Sequence, residues 1–551
     1  MDISQACMLI ENLLDRIERN PETGKYHLGV ISSKEKEALQ SALASLRGDD
    51  GETIGTPTTG VQVPEVPQPP PPVPALPEVI LNVQAMERTQ PESPEITLCL
   101  DFGTAMSKAF AIAGSSTPVE LALGKRAGSS GYPVESSLFI SDDGVLHFGP
   151  QAVELGTHAI TLGRTRFDSP KSRLSMGKKL DINRVPLAKD KNPFESIPMS
   201  EGEMITLYLA YLTDLAGTEL SDKGYSRYCA RRFARPCWDD DRNQWAEPLL
   251  RRMLAQAQIL ADTFTGRWLE GIPLAEAKQA LIKLNELAVQ PDYLLAQEGI
   301  PEPVAAASSL MLADEAQREL FLVVDVGAGT TDFGVFLLQH NPDKEVCKVR
   351  IIPDTIKYLP QAGNRVDELL KLHVLDLEGV DIASPEGRHN ADFLDSTIRL
   401  HKEALFRDGT VAVPMANKSR VTVELPTFME SPRVKAFTLL LENELAAVLE
   451  CVKDGYLDLM RGTHLNVVLT GGGATLPMIQ RLATGVIEVR DRKIMRRAAP
   501  KVPSWVTESY PQFESQYPQL AVAIGGANPD LPELAESVAD FKGLSGRTYS
   551  I

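Results

Sequence analysis

Two short stretches, far apart in the chain, repeat one design. LCLDFGTAMS (98–107) and LVVDVGAGTTD (322–332) are each an apolar, β-rich run that ends on an aspartate and then turns through Gly and Thr. The apolar run favours an extended backbone, and the aspartate presents its carboxylate where the strand stops. Glycine admits backbone angles that crowd other residues, while threonine hydroxyls and bare amides offer donors to phosphate oxygens. A third stretch, VVLTGGGATLP (467–477), is a strand running into Gly471, Gly472 and Gly473, which lets a backbone lie flat against a base or ribose. Two such turns facing each other can hold the β- and γ-phosphates of a nucleotide from opposite sides. Gly103, Thr104, Gly327, Gly329, Thr330 and Thr331 would then line the phosphates, with Asp101 and Asp325 meeting a Mg²⁺ ion through its waters.

One turn of this kind is what any buried strand ending in an Asx-turn displays. Two of them followed by the triple glycine, in this order, are far more specific. The set resembles the phosphate-1, phosphate-2 and adenosine motifs of the actin, sugar-kinase and Hsp70 ATPase superfamily, most closely the Hsp70 nucleotide-binding domain. The resemblance covers roughly residues 96–528. It implies an α/β fold, a two-lobed actin-like ATPase built of duplicated ribonuclease-H-like lobes, with ATP/ADP and Mg²⁺ as its cofactors.

The resemblance also implies roles for residues outside the turns. Lys171, in FDSPK (167–171), corresponds to a lysine that reaches the γ-phosphate and positions the attacking water. Glu302, in GIPEPVAAA (299–307), opens a helix whose small residues permit close packing, and its carboxylate would hold the nucleophilic or metal-bound water. Asp332 matches a second phosphate-2 aspartate and is the candidate for orienting water, which makes Lys171, Glu302 and Asp332 the catalytic set. Lys402 and Glu403, in IRLHKEAL (398–405), resemble the basic–acidic pair that contacts adenine and ribose hydroxyls. Pro236 stands where a proline relays nucleotide state between lobes.

Composition narrows the classes. Fifty-six basic residues against 74 acidic ones give a net charge of −18, which argues against nucleic acid or an anionic membrane as the main partner. The six cysteines form no Cys-x-x-Cys and no zinc-type cluster, which fits a cytoplasmic address, and the eight histidines fall in no ligand or nucleophile arrangement. Acidic residues interrupt the N-terminus, so no secretory signal is expected. The apolar stretch 320–338 contains Asp325 and Asp332 and reads as two buried strands around a turn.

Along the chain, residues 1–50 are expected to form a small helical unit, from Ile3, Cys7, Ile10, Leu14 and Ile17 at helical spacing and a Ser32/Glu35 capping box. Residues 51–95 read as a proline-rich linker around PEVPQPPPPVPALP (64–77), a semi-rigid polyproline spacer. The first lobe spans 96–310, with a helical stretch at 241–290, and the second spans 311–528, with helices near 365–375 and 391–407 and a hairpin over 411–425. AVAIGGA (521–527) looks like the family's closing helix, and a short tail, 529–551, follows. That tail is too short for a peptide-binding domain.

The departures from the Hsp70 pattern bear on function. Phosphate-2 lacks a third glycine and an aromatic, and Thr475 stands where an arginine commonly stacks on adenine, which leaves phosphate binding intact and adenine selectivity open. The expected function is a chaperone-type ATPase without a peptide-binding domain, hydrolysing ATP slowly to switch lobe closure and the binding of an unidentified protein partner through residues 1–50. The alternatives are an actin-like filament-forming ATPase and a small-substrate kinase, the latter with Asp239, Asp240 and Asp241 as its only candidate base cluster.

Overall fold

Strand β1, Ser93–Asp101, carries Ile96, Leu98 and Leu100 on one face and Cys99 on the other, all buried. A strand apolar on both faces belongs inside a layered α/β fold, and the computed structural model has that mixed α/β organisation. It describes residues 17–19, 26–28, 76–88, 90–177, 181–288, 299–312, 318–341, 346–395, 397–458, 464–500 and 502–535. The chain divides into two units, Met1–Pro72 and Val73–Ile551.

In the first unit, Ile17–Arg19 and Tyr26–Leu28 pair as antiparallel strands. Ile17, which the helical spacing placed on a helix, is therefore in a strand; the other helical positions and the Ser32/Glu35 box lie outside the described residues. In the second unit the packed structure starts before Ile96. Val79 and Ala85 are buried, Lys283 Nζ donates to the Val79 carbonyl (2.6 Å), and Asn82 N–H donates to Thr263 Oγ1 (2.9 Å). Nothing periodic marks this stretch in the sequence, because it is anchored by single backbone contacts rather than by an apolar face.

The second unit contains one topology twice. In the first sheet β1 lies antiparallel to β2 (Met106–Ala113), and β2 antiparallel to β3 (Thr117–Glu120). On its other side β1 runs parallel to β4 (Cys229–Arg235), which is parallel to β5 (Ile300–Pro301). In the second sheet β6 (Arg318–Val326) is antiparallel to β7 (Thr331–Asn341), and β7 antiparallel to β8 (Val346–Ile351). β6 is likewise parallel to β9 (Leu465–Thr470), and β9 to β10 (Arg492–Ala498). Over these five strands order and sense match, and the second sheet adds Gly485–Val489 and Glu533–Leu534 at its two edges. The two strands around a turn expected over 320–338 are β6 and β7.

Helices fill both faces of each sheet. The principal ones are α1 (Pro170–Met176), α2 (Glu201–Asp222), α3 (Asp240–Thr263), α4 (Glu302–Ser308), α5 (Gly363–Glu378), α6 (Ile398–Asp408) and α7 (Tyr517–Gly526). α2 starts on a Ser200/Glu203 capping box, and α5 and α6 both stop at glycines in the left-handed region, Gly379 and Gly409. Ile96, Leu98 and Leu100 join α2 and α3 in one core, and Leu320, Leu322, Val324 and Val326 join α5 in another. The opposite strand faces look onto α7 and α4: Cys99, Phe110 and Ile112 pack with Tyr517 and Leu520, and Phe321, Val323 and Phe336 pack with Val304 to Ala307. α4 and α7 touch where a Cβ at Gly525 would stand 1.7 Å from the Ala305 carbonyl oxygen. The hairpin expected over 411–425 is Thr410–Pro414 with Arg420–Glu424. Among the described residues, no helix is long and apolar enough to cross a membrane.

Candidate functional site

Strand alternation aims the two turn aspartates. Asp101 shares its parity with Cys99, and Asp325 shares its parity with Val323, so both carboxylates leave the strands on the faces turned toward α4 and α7. Both strands end there, beside a cleft of about 480 Å³. The turns reach each other: a Cβ at Gly329 would lie 3.1 Å from Thr104 Oγ1.

The cleft is lined by Asp101, Gly103, Thr104, Lys171, Glu302, Asp325, Gly327, Thr330, Lys402, Glu403 and Gly471 to Gly473. Residues from every expected segment are thus brought together. Three candidates stand apart from the lining. Thr331 is fully buried and its hydroxyl donates to the Gln361 carbonyl (2.8 Å). Gly329 backs the turn against Thr104. Asp332 is fully buried, and its Oδ1 accepts the Cys237 backbone N–H at 3.0 Å, next to Pro236. Asp239 serves instead as the N-cap of α3, accepting from the Arg242 N–H (2.8 Å), and none of Asp239, Asp240 and Asp241 lines the cleft.

Charge is concentrated at the turns. Lys171 and Glu302, 2% and 7% exposed, form a direct ion pair. Lys171 is delivered by Ser169, a non-glycine residue at φ 55°, followed by Pro170 at the first position of α1. Burial works against the Lys171 ammonium, but Glu302, Asp101 and Asp332 overcome it and hold its pKa above the ordinary value. Lys108 Nζ lies 3.1 Å from Asp101 Oδ2. Burial, then Glu302, Asp332 and Asp101, push the Asp325 carboxyl well above its usual range, and its Oδ1 is buried without a hydrogen-bond partner. Burial and Glu302 push Asp332 up to about 7.

The third segment is held by backbone chemistry. Gly471 has φ 82°, and a Cβ on it would sit 2.4 Å from the Val326 carbonyl oxygen and 2.7 Å from Asp325 Oδ1. Only glycine satisfies both demands. Its N–H donates to the Pro518 carbonyl at 2.7 Å, which ties the loop to the start of α7.

Sequence reasoning missed several lining residues: Lys108, Gly363, Arg399, Phe406, Arg407 and Gln519. Lys108 had a signal. It lies as far after Asp101 as Asp332 lies after Asp325, and the pairs are cross-strand neighbours in the same register. Arg399, Phe406 and Arg407 share one helix face with Lys402 and Glu403. Gly363 and Gln519 carried no signal at all.

Four carboxyl groups therefore meet two ammoniums at the turns, and two buried carboxylate oxygens, Asp325 Oδ1 and Asp332 Oδ2, have no hydrogen-bond partner. That excess fits a divalent cation held through water, and among the described residues no group of three or more His, Cys, Asp or Glu side chains is placed to ligate a metal directly. No protein-family model matches the chain, and neither does any curated protein.

Proposed function

We propose that this chain is an Hsp70-like ATPase, each sheet with its helices forming one lobe of a two-lobed actin-like core that closes on Mg²⁺-ATP. One observation carries the reading: the same strand topology occurs twice, each copy ends its first strand on an aspartate and a Gly/Thr turn, and the two turns meet at one cleft. The turn amides with Thr104 and Thr330 hold the β- and γ-phosphates. Gly471 to Gly473 lie against the nucleoside, with Glu403 and Phe406 on the α6 face opposite. Bound Mg²⁺ supplies charge neutralisation, and Asp101 and Asp325 are the residues that would hold its water shell.

Hydrolysis is in-line attack of water on the γ-phosphorus, giving ADP and phosphate. Glu302 orients that water. Lys171, released in part from Glu302 by the arriving phosphate, offsets charge on the transferred group. Asp332, fully buried and held by the Cys237 N–H, acts on Glu302 and Lys171 through its charge. A nucleotide touching both turns favours the closed arrangement, and loss of the γ-phosphate removes contacts from both, so slow turnover makes a switch. The switch acts in the cytoplasm on a protein partner bound through residues 1–50.

Phosphate release by the full chain tests this. Glu302→Gln and Lys171→Ala should lower the rate while leaving ATP affinity within roughly tenfold, with thermal melts confirming that each variant is folded. Loss of ATP binding in both, with a normal rate per bound nucleotide, would overturn the roles assigned here.

A further inference from the structure

The second turn is fastened to a helix pair by contacts that hydrolysis does not require. Gly363 and Asn364, at the start of α5, donate their backbone N–H groups to the Gly327 carbonyl (3.2 Å) and the Ala328 carbonyl (2.7 Å). Gly363 is confined at this junction, since a Cβ there would lie 3.3 Å from both the Ala328 Cα and the Gly327 oxygen. α6 reaches the same point. Lys402 Nζ donates to the Gly363 carbonyl at 3.1 Å and pairs with Asp367 Oδ1 at 2.8 Å. Arg399 adds a longer contact, 3.9 Å to Asp367 Oδ2, and donates to Asn364 Oδ1 at 3.2 Å.

Both partners of the Lys402–Asp367 pair are only 12% exposed. A charge pair this far from water is tolerable as a pair and costly as a single charge. The ammonium also faces the first turn of α5, the positive end of its backbone dipole, where a cation is disfavoured. Asp367, one turn along the same helix, is what permits it to stay. One of its N–H donors is engaged by the Gly363 carbonyl, and its charge is paired with Asp367.

We propose that Lys402 is a positioning residue. With Asp367 it latches α6, which presents Glu403, Phe406 and Arg407 to the cleft, onto the Gly327–Ala328 turn. Occupation of the nucleoside end thereby sets the geometry of the phosphate end. What fills the cleft rests on the ATPase reading; the latch rests on contacts within the chain alone.

Lys402→Met, Asp367→Asn and the double variant, each in the full chain, test the latch by two readouts. Without nucleotide, amide hydrogen exchange at Gly363 and Asn364 should quicken by about tenfold in each single variant, and by no more in the double, since one interaction is being removed. With ATP, both single variants should lower kcat alike, with the double no worse than either. The double variant buries no lone charge, so it carries the exchange test if a single variant fails to fold. Two results would overturn the latch: unchanged exchange at Gly363 and Asn364, or weakened ATP affinity in Lys402→Met with none in Asp367→Asn, which marks a direct ligand contact. Absence of ATP binding by the unaltered chain would count against the ATPase reading alone, and the exchange measurement would still decide the latch.

Discussion

The two Asp-Gly-Thr turns occupy equivalent places in matching sheets, and their surroundings differ at one register position. Across from Asp101 on the neighbouring strand stands Lys108; across from Asp325 stands Asp332. The first pair is an ion pair at 3.1 Å. The second is two acids in one buried space, both with raised pKa values. The fastenings differ too. The first turn is held by neutral hydroxyls: Ser136 Oγ donates to the Gly103 carbonyl at 2.8 Å, meets Ser107 Oγ at 2.9 Å and accepts from Tyr208 Oη at 3.3 Å. The second is held by helix amides and the Lys402–Asp367 charge pair. Duplicated topology thus supplies two similar cradles, one with its carboxylate already paired to an ammonium, the other with two buried acids whose charged forms a cation would favour.

Exchanging carboxylate for amide should separate the two most sharply. Asp101→Asn and Asp325→Asn should each reduce hydrolysis by far more than tenfold, several kcal/mol of metal-assisted stabilisation at about 1.4 kcal/mol per tenfold. Their effects on stability should diverge. Asp101→Asn strands the Lys108 ammonium and should cost on the order of 2 kcal/mol, whereas Asp325→Asn removes a buried acid that lacks a partner and should leave the melting temperature equal or higher. Denaturant melts of both variants at neutral pH measure this, and equal losses of stability would erase the contrast.

Burial and the neighbouring Glu302 give Asp332 a pH signature. Unfolded, the Asp332 carboxyl titrates near its ordinary 3.8; folded, near 7. Between those values the folded chain holds an extra proton, so this group's contribution to stability falls as pH rises through that window and is level above it. Asp332→Asn keeps an oxygen for the Cys237 N–H and removes the titration. Relative to the unaltered chain, it should gain stability progressively from about pH 4 to about pH 7, reaching a few kcal/mol. A stability difference that does not change with pH would contradict the assignment.

The smallest expected effect is at the neutral fastening. Ser136→Ala removes the donor to the Gly103 carbonyl in a buried position and should cost about 1–3 kcal/mol, with hydrolysis by the folded variant reduced less than by either aspartate variant. A rate loss as large as theirs would mean that the first turn is as deformable as the second.

Much of this arrangement was legible in the residues, because its parts are local. An apolar run ending on Asp-Gly-Thr defines a strand and a turn by itself, and β1, β6 and β9 lie where those runs stand. The helices split where glycines and prolines interrupt them, as α6 does at Gly409. What stayed hidden depends on partners distant in sequence. Ser136 and Tyr208 reach the first turn only through tertiary packing, and Lys402 and Asp367 sit on separate helices. Asp332 carried the right letter but a different setting, since its carboxylate is occupied by the Cys237 N–H and not open to the cleft. Ile17 satisfied helical spacing and lies in a strand, because a short apolar recurrence does not distinguish the two.

The central claim is that both turns grip one nucleotide. Calorimetric titration of the full chain with Mg²⁺-ATP, alongside Thr104→Val and Thr330→Val, tests it most directly. The account predicts one site per chain, with affinity lowered by each substitution on its own, because each removes a hydroxyl donor from a different side of the same phosphates. No binding by the unaltered chain, or binding insensitive to one of the two turns, would contradict it.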